Sequence, residues 1–250
     1  MDELLRATCE AERAHFWYRG FRRFVEPFLA QAIQGVSRPR ILDCGCGTGA
    51  NLAMLATYGQ DFGFDLAGAG VAYAAAAGHR RIARATVARV PFPDHSFDVV
   101  TSFDVLYCLE DEVERAAIDE MFRLVRRGGA LVANVPAMDV LTGDHSIFVG
   151  ERRRYSRQGL TRRLQRAGFQ IIRMTHTNAT LFLPMLSIRL FQQLRRQGAA
   201  TVAQSDFAMP PGPVNGLLAL LLAAEAGVVR FLDLPLGSSI LCLARKPAAE

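Results

Sequence analysis

Apolar positions along this chain change their period repeatedly, and each change marks an element. Phe21, Phe24, Val25, Phe28, Leu29 and Ile33 recur at helical spacing, so residues 1 to about 36 read as helix. Beyond them, apolar runs of strand length alternate with helical stretches. Arg40 to Asp43, Gln60 to Asp65, Ile82 to Val90 with its exit, Phe97 to Ser102, Ala130 to Val135, Phe169 to His176 and Ser239 to Arg245 read as strands. Asn51 to Ala56, Leu66 to Gly78, Glu112 to Val125 and Arg157 to Ala167 read as helices, and Arg126 to Gly129 as a turn. Strands that alternate with helices predict an α/β fold around a mostly parallel sheet. From Asn178 to about Leu234 an insertion precedes the last strand: an apolar helix, a rigid break at Met209 to Pro213, and a second helix over Val214 to Leu232. The expected organisation is a helical cap over 1–36, an α/β core over 37–177, the insertion over 178–235, and a last strand over 236–250 that completes the core.

Candidate chemistry concentrates where the first strand stops. Ile41 and Leu42 run into Asp43, and glycines follow at Gly45, Gly47 and Gly49. Glycines cannot sustain a ladder, but they adopt the φ > 0 turns that swing a strand into a helix, here the one that starts at Asn51. Such a turn lets a ligand lie against bare backbone. The spacing differs from the Gly-x-Gly-x-x-Gly of dinucleotide enzymes, and an acid at Asp43 would repel a pyrophosphate. It would instead pair with an ammonium. Asp65, about twenty residues on at the end of the second strand, stands where a carboxylate grips two ribose hydroxyls.

With those residues the chain resembles the class I S-adenosylmethionine-dependent methyltransferases, and more narrowly the bacterial small-molecule branch often labelled methyltransferase type 11. The resemblance implies a Rossmann-like fold of seven strands, mostly parallel with an antiparallel last strand, and S-adenosylmethionine as cofactor. It implies that Asp43, Gly45, Cys46, Gly47 and Asn51 cradle the amino-acid part of that cofactor, and that Asp65 and Leu66 hold the nucleoside. Pro91 to Asp98 is similar to the branch's Leu-Pro-Phe-x-Asp-x-Ser-Phe-Asp block. Family members carry an acid for the adenine amino group just upstream; Thr86 stands there in this chain, beside the backbone of Val87. The opening His15-Phe16-Trp17-Tyr18-Arg19 is similar to a helix that folds over the cofactor in the branch, which brings in Trp17; pinning that helix to the core is the other reading. Phe103, at the exit of the fourth strand, is expected to pack on the cofactor, and Tyr107 to meet the substrate first. Arg153-Arg154-Tyr155 also matches the branch, with Ser146 and Glu151 in place of its Asp and second His.

Composition narrows the partners. The 250 residues are 50% hydrophobic with a formal charge of +5, enough for one sizeable core. Lys246 is the one lysine, so the excess is arginine, which reads as genome composition rather than a nucleic-acid surface. Five scattered cysteines point to reduced thiols in a cytoplasm, and Cys44-x-Cys46 to packing inside the glycine turn. No secretory leader is read at the charged N-terminus. The most apolar run, Leu217 to Ala224, is too short to span a bilayer, although it is suited to lying on one or covering a pocket.

The expected activity is methyl transfer from S-adenosylmethionine to an O, N or C atom of a small molecule in bacterial secondary or cell-envelope metabolism, by a monomer or homodimer. Alignment of the acceptor supplies much of such a reaction, so a base is optional. His145 is the candidate base, the other reading being a loop-stabilising histidine. Arg153 and Arg154 are candidates for a substrate carboxylate or phosphate, or alternatively partners of Glu151 and Asp144, with Tyr155 beside them. No metal-ligand spacing is seen. A non-catalytic S-adenosylmethionine-binding regulator and a membrane-associated lipid methyltransferase are the alternatives.

Overall fold

The computed structural model describes residues 11–143, 146–147, 149–196 and 209–248, with backbone alone for 192–196. Seven strands form one sheet: β1 (Arg40–Cys44), β2 (Gln60–Asp65), β3 (Ile82–Arg84), β4 (Phe97–Phe103), β5 (Val125–Pro136), β6 (Gln170–Thr177) and β7 (Ser239–Arg245). Their order is β3-β2-β1-β4-β5-β7-β6. β1 to β5 pair in parallel, and β7 runs antiparallel between β5 and β6. This is the expected Rossmann-like arrangement.

Helices cover both faces, so the central strands are buried on two sides and apolar throughout their middles. On one face α4 (Asp111–Leu124) and α5 (Arg157–Arg166) place Ile118, Met121, Leu160 and Leu164 against Leu42, Val100 and Leu131. On the other, α1 (Phe16–Ala32) and α2 (Ala50–Leu55) place Phe24, Leu29 and Leu52 against Ile41, Val99 and Val132. α3 (Gly68–Ala76) joins β2 to β3.

Cap and insertion, far apart in sequence, meet in one layer. In the insertion, α6 (Phe182–Arg196) precedes α7 (Gly212–Val229). A Cβ on Gly20 of α1 would stand 2.5 Å from Leu222 Cδ1 of α7, so only glycine permits this approach. Asn215 fastens the helix starts, accepting from Phe16 N at 2.8 Å and donating to Ala14 O at 2.9 Å. Glu225 turns inward from α7 to accept from Ala179 N at 2.8 Å and Thr180 N at 2.9 Å.

Three expectations change. β5 begins at Val125, the last residue of the expected helix, because Val125 pairs with Phe97, and the expected turn at Arg126 to Gly129 becomes an irregularity inside the strand before Ala130 pairs with Val99. β3 stops at Arg84, and the chain then turns on an isolated Thr86–Arg89 bridge. The apolar run at Leu217 belongs to an 18-residue helix of mean hydropathy 1.6, long and apolar enough to cross a membrane by length and composition, with 28% of that window buried in the fold.

Candidate functional site

The C-terminal ends of β1, β2 and β4 lie side by side at one edge of the sheet, the crevice where open α/β sheets take ligands, and Phe21 of α1 packs on Phe103 at the end of β4. Gly45, Gly47 and Gly49 hold φ of 80°, 51° and 88°, so the chain leaves β1 through three left-handed residues. Gly45 N and Cys46 N both donate to Phe64 O at 2.9 Å, tying the turn to β2. At Gly45 an added Cβ would meet Val105 Cγ2 at 2.4 Å, whereas Gly47 faces open space. Cys46 is buried and packs under the turn.

Asp43 lies below that turn, 1% exposed. Thr101 Oγ1 donates to its Oδ1 at 2.6 Å, while Oδ2 is buried with no hydrogen-bond partner among the described residues. Burial pushes the carboxyl up to about 7; the Thr101 bond opposes that rise and the nearby Asp65 charge adds to it. An unpartnered buried carboxylate oxygen is costly, and an ammonium from a ligand would satisfy it.

Asp65 is a clamp on the cleft's backbone. Its Oδ2 accepts from Gly47 N and its Oδ1 from Ala67 N, each at 2.8 Å. Carboxylate oxygens have lone pairs beyond these two bonds. Leu66, next to it, is 65% exposed despite its apolar side chain. Thr86 is exposed, its Oγ1 accepting weakly from Ala88 N at 3.4 Å, and Val87 is buried behind it. Asn51 is half-buried in the first turn of α2.

Phe103 packs edge-on against Phe21 of α1, with ring centroids 5.1 Å apart. Trp17 is half-buried and meets Phe16 edge-on at 6.5 Å, while His15 Nδ1 caps the helix by accepting from Trp17 N at 3.2 Å. Glu12 accepts a hydrogen bond from Thr48 Oγ1 in the glycine turn, a link the sequence pattern did not signal. Burial raises the Glu12 carboxyl above its ordinary range.

Tyr107, in the short helix Leu106–Cys108, follows Asp104 by three residues, and the Asp104 charge acts on both Tyr107 and Tyr18. Burial raises both phenols, and the Asp104 charge raises them further, so both stay protonated donors. Asp104 is held at φ 56°. Its N donates to Asn134 O at 3.0 Å, and its Oδ1 accepts from Asn134 Nδ2 at 2.9 Å. The surrounding protein pushes its carboxyl up, with the Asn134 bond opposing, while the side chain itself is exposed. An acid directly after an apolar parallel strand was the signal that would have found Asp104.

The residues expected at the substrate have inward partners. Arg153 spans Glu114 at 2.8 Å and Asp111 at 2.7 Å, and Tyr155 Oη donates to Glu114 at 2.7 Å. Tyr155 is 3% exposed. Arg154 makes a two-point pair with Glu151 at 2.7 and 3.0 Å and donates to Ala137 O at 3.0 Å. The geometry thus commits these three side chains to bracing the loop after β5. His145 and Asp144 lie outside the described residues. Among the described residues no group of His, Cys, Asp and Glu is arranged to hold a metal ion.

Residues 42–133 match the family model described as a methyltransferase domain. A Mycolicibacterium smegmatis protein named as an S-adenosylmethionine-dependent methyltransferase is 30% identical over 161 residues, 63% of this chain and 60% of that protein. The chain spans about 60% of the length of the first curated relatives it matches. Among solved structures, a complex between a Trm112 methyltransferase activator and a methyltransferase of Haloferax volcanii is matched with a TM-score of 0.63 at 18% identity, over 100% of this chain and 96% of that one. The 4+2 cyclase SpnF is matched at 0.57 and 21% identity, over 91% of this chain and 82% of that one. Both likenesses show the fold.

Proposed function

We propose, from the premise that this chain carries a class I S-adenosylmethionine-dependent methyltransferase domain, that it transfers a methyl group to a small molecule. The observation that supports this most is the buried, unpartnered Oδ2 of Asp43 at the foot of the glycine turn. In this reading Asp43 pairs with the cofactor's ammonium, and the backbone of Gly45, Cys46 and Gly47 lies along its amino-acid part, with Asn51 at the helix start. The free lone pairs of Asp65 take the ribose hydroxyls. Leu66, Thr86 and Val87 border the adenine, with Phe103 and Trp17 closing the cleft.

S-adenosylmethionine supplies a methyl group on a sulfonium. What this chain adds is alignment and exclusion of water. The segment before α1 is tied to the glycine turn through Glu12 and Thr48, and α1 to β4 through Phe21 and Phe103, which places this helix over the proposed cofactor site. A roofed cleft of this kind suits a small acceptor better than a nucleic acid. Four described cysteines are free thiols, in keeping with a cytoplasmic setting. Incubation with S-adenosylmethionine and pools of small metabolites, read as S-adenosylhomocysteine formed and a 14 Da mass gain on the acceptor (about one CH₂, the net change of methylation), tests the reading. Cofactor binding without any product across such pools would favour the regulatory alternative.

A second reading rests on α7. Val214, Leu217, Leu221 and Val228 are exposed along one side of it, and Phe231 beyond its end is 90% exposed. Such a stripe suits the surface of a membrane, and so an acceptor lipid, or a second copy of the chain. Flotation with liposomes and light scattering of the free protein separate the two.

A further inference from the structure

Asp104 and Tyr107, three residues apart at the exit of β4, stand where acceptor and cofactor would meet, and we propose that with Tyr18 of α1 they form an acceptor subsite that takes a small molecule by a positively charged amine. The inference rests on the reading above for the role of the cleft, and adds the chemical class of what enters it.

Position is the first argument. Asp43 pairs in register with Thr101, and Asp104 follows three residues later, about 10 Å further along the strand direction. Asp104 therefore stands beyond the cofactor's proposed ammonium site, at the mouth of the same cleft.

Backbone conformation is the second. A non-glycine residue at φ 56° is uncommon, and a short polar side chain is among the few that tolerate it. Here Asn134, 3% exposed on β5, holds both the backbone N and the Oδ1 of Asp104. One residue thus fixes the other at two points. Asp104 Oδ2 carries no hydrogen bond among the described residues and is left for the cleft.

Charge is the third. The two guanidinium groups felt by Asp104 and Tyr18 are already engaged: Arg154 by Glu151, and Arg22 by Glu12 O at 2.7 Å. A substrate carboxylate or phosphate would meet the Asp104 carboxylate with these cations occupied, whereas an ammonium would relieve it. The neutral rings of Tyr18 and Tyr107 add faces that attract a cation.

Benzyltrimethylammonium tests the subsite, with benzoate as its anionic counterpart, each titrated by ligand-observed NMR in the presence of S-adenosylhomocysteine. Benzyltrimethylammonium should bind at least roughly tenfold more tightly than benzoate, and Asp104→Asn should remove about that factor. Asn tolerates the same φ, so folding is preserved; an unchanged melting temperature and unchanged S-adenosylhomocysteine affinity verify this. Equal binding of the two probes, or amine binding unaffected by Asp104→Asn, overturns the proposal. If S-adenosylhomocysteine fails to bind while the amine still binds through Asp104, the methyltransferase reading falls and the subsite stands.

Discussion

Thr101 donates to one oxygen of Asp43 at 2.6 Å and leaves the other buried without a partner among the described residues. A neutral hydroxyl satisfies half of the carboxylate, so the empty-handed half sets the cost of keeping Asp43 charged. That cost is the physical signature of a place made for a cation.

Asp43→Asn should therefore stabilise the ligand-free protein at high pH. Burial raises the folded-state carboxyl to about 7 from 3.8, so the folded protein keeps a proton that the unfolded chain has lost. Stability then falls as pH rises through that window, by an upper bound of about 4 kcal/mol. Melting temperatures of wild type and Asp43→Asn should match at about pH 3.5, diverge in favour of the variant as pH rises, and keep a constant gap above about pH 7.5. A gap independent of pH would contradict this.

Asp65→Ala removes the acceptor for Gly47 N and Ala67 N together. Leaving two backbone donors unpaired should cost about 1–3 kcal/mol and loosen the glycine turn. Asp65→Asn should restore at most one bond, since its amide nitrogen cannot accept. Denaturant midpoints read both variants.

Alanine at Gly45 and at Gly47 should behave differently. Both residues have positive φ, but only at Gly45 does the new Cβ meet Val105, at 2.4 Å. Gly45→Ala should destabilise by roughly 2–4 kcal/mol and Gly47→Ala by about 1. Gly47→Ala should nonetheless weaken S-adenosylhomocysteine, because its Cβ projects into open space. Equal destabilisation would show that the approach to Val105 is relaxed in solution.

Glu114→Ala should cost about 3–5 kcal/mol, since it strips a buried acceptor from Arg153, Tyr155 and Arg163. Glu114→Gln keeps one acceptor oxygen for Tyr155 and should cost less. Cofactor affinity should be unchanged in Glu114→Gln, measured alongside chemical unfolding.

Local rules made the fold legible wherever they coincide with tertiary ones. Asp43 and the three glycines carry their geometry in their own spacing, and Ser239 to Arg245 pairs over the whole expected span. Side-chain commitments were less legible, because the partner lies elsewhere in the chain. Arg153 and Tyr155 look available beside each other in sequence, yet Glu114, about forty positions earlier, takes both. Arg126 to Gly129 has turn composition, and it bulges out between the Val125–Phe97 and Ala130–Val99 pairs while the strand continues on either side of it. Asp104 carries a local signal, an acid directly after an apolar parallel strand, but the contacts that fix it come from Asn134, 30 positions later.

Asp43 and the glycine turn are expected to hold S-adenosylmethionine, and calorimetric titration of S-adenosylmethionine and S-adenosylhomocysteine into the full chain, wild type and Asp43→Asn, reads this without needing the acceptor. Micromolar binding of both, weakened roughly tenfold or more by the substitution, is the predicted result. Folded wild-type protein that binds neither compound, or a variant that binds as tightly as wild type, would contradict it.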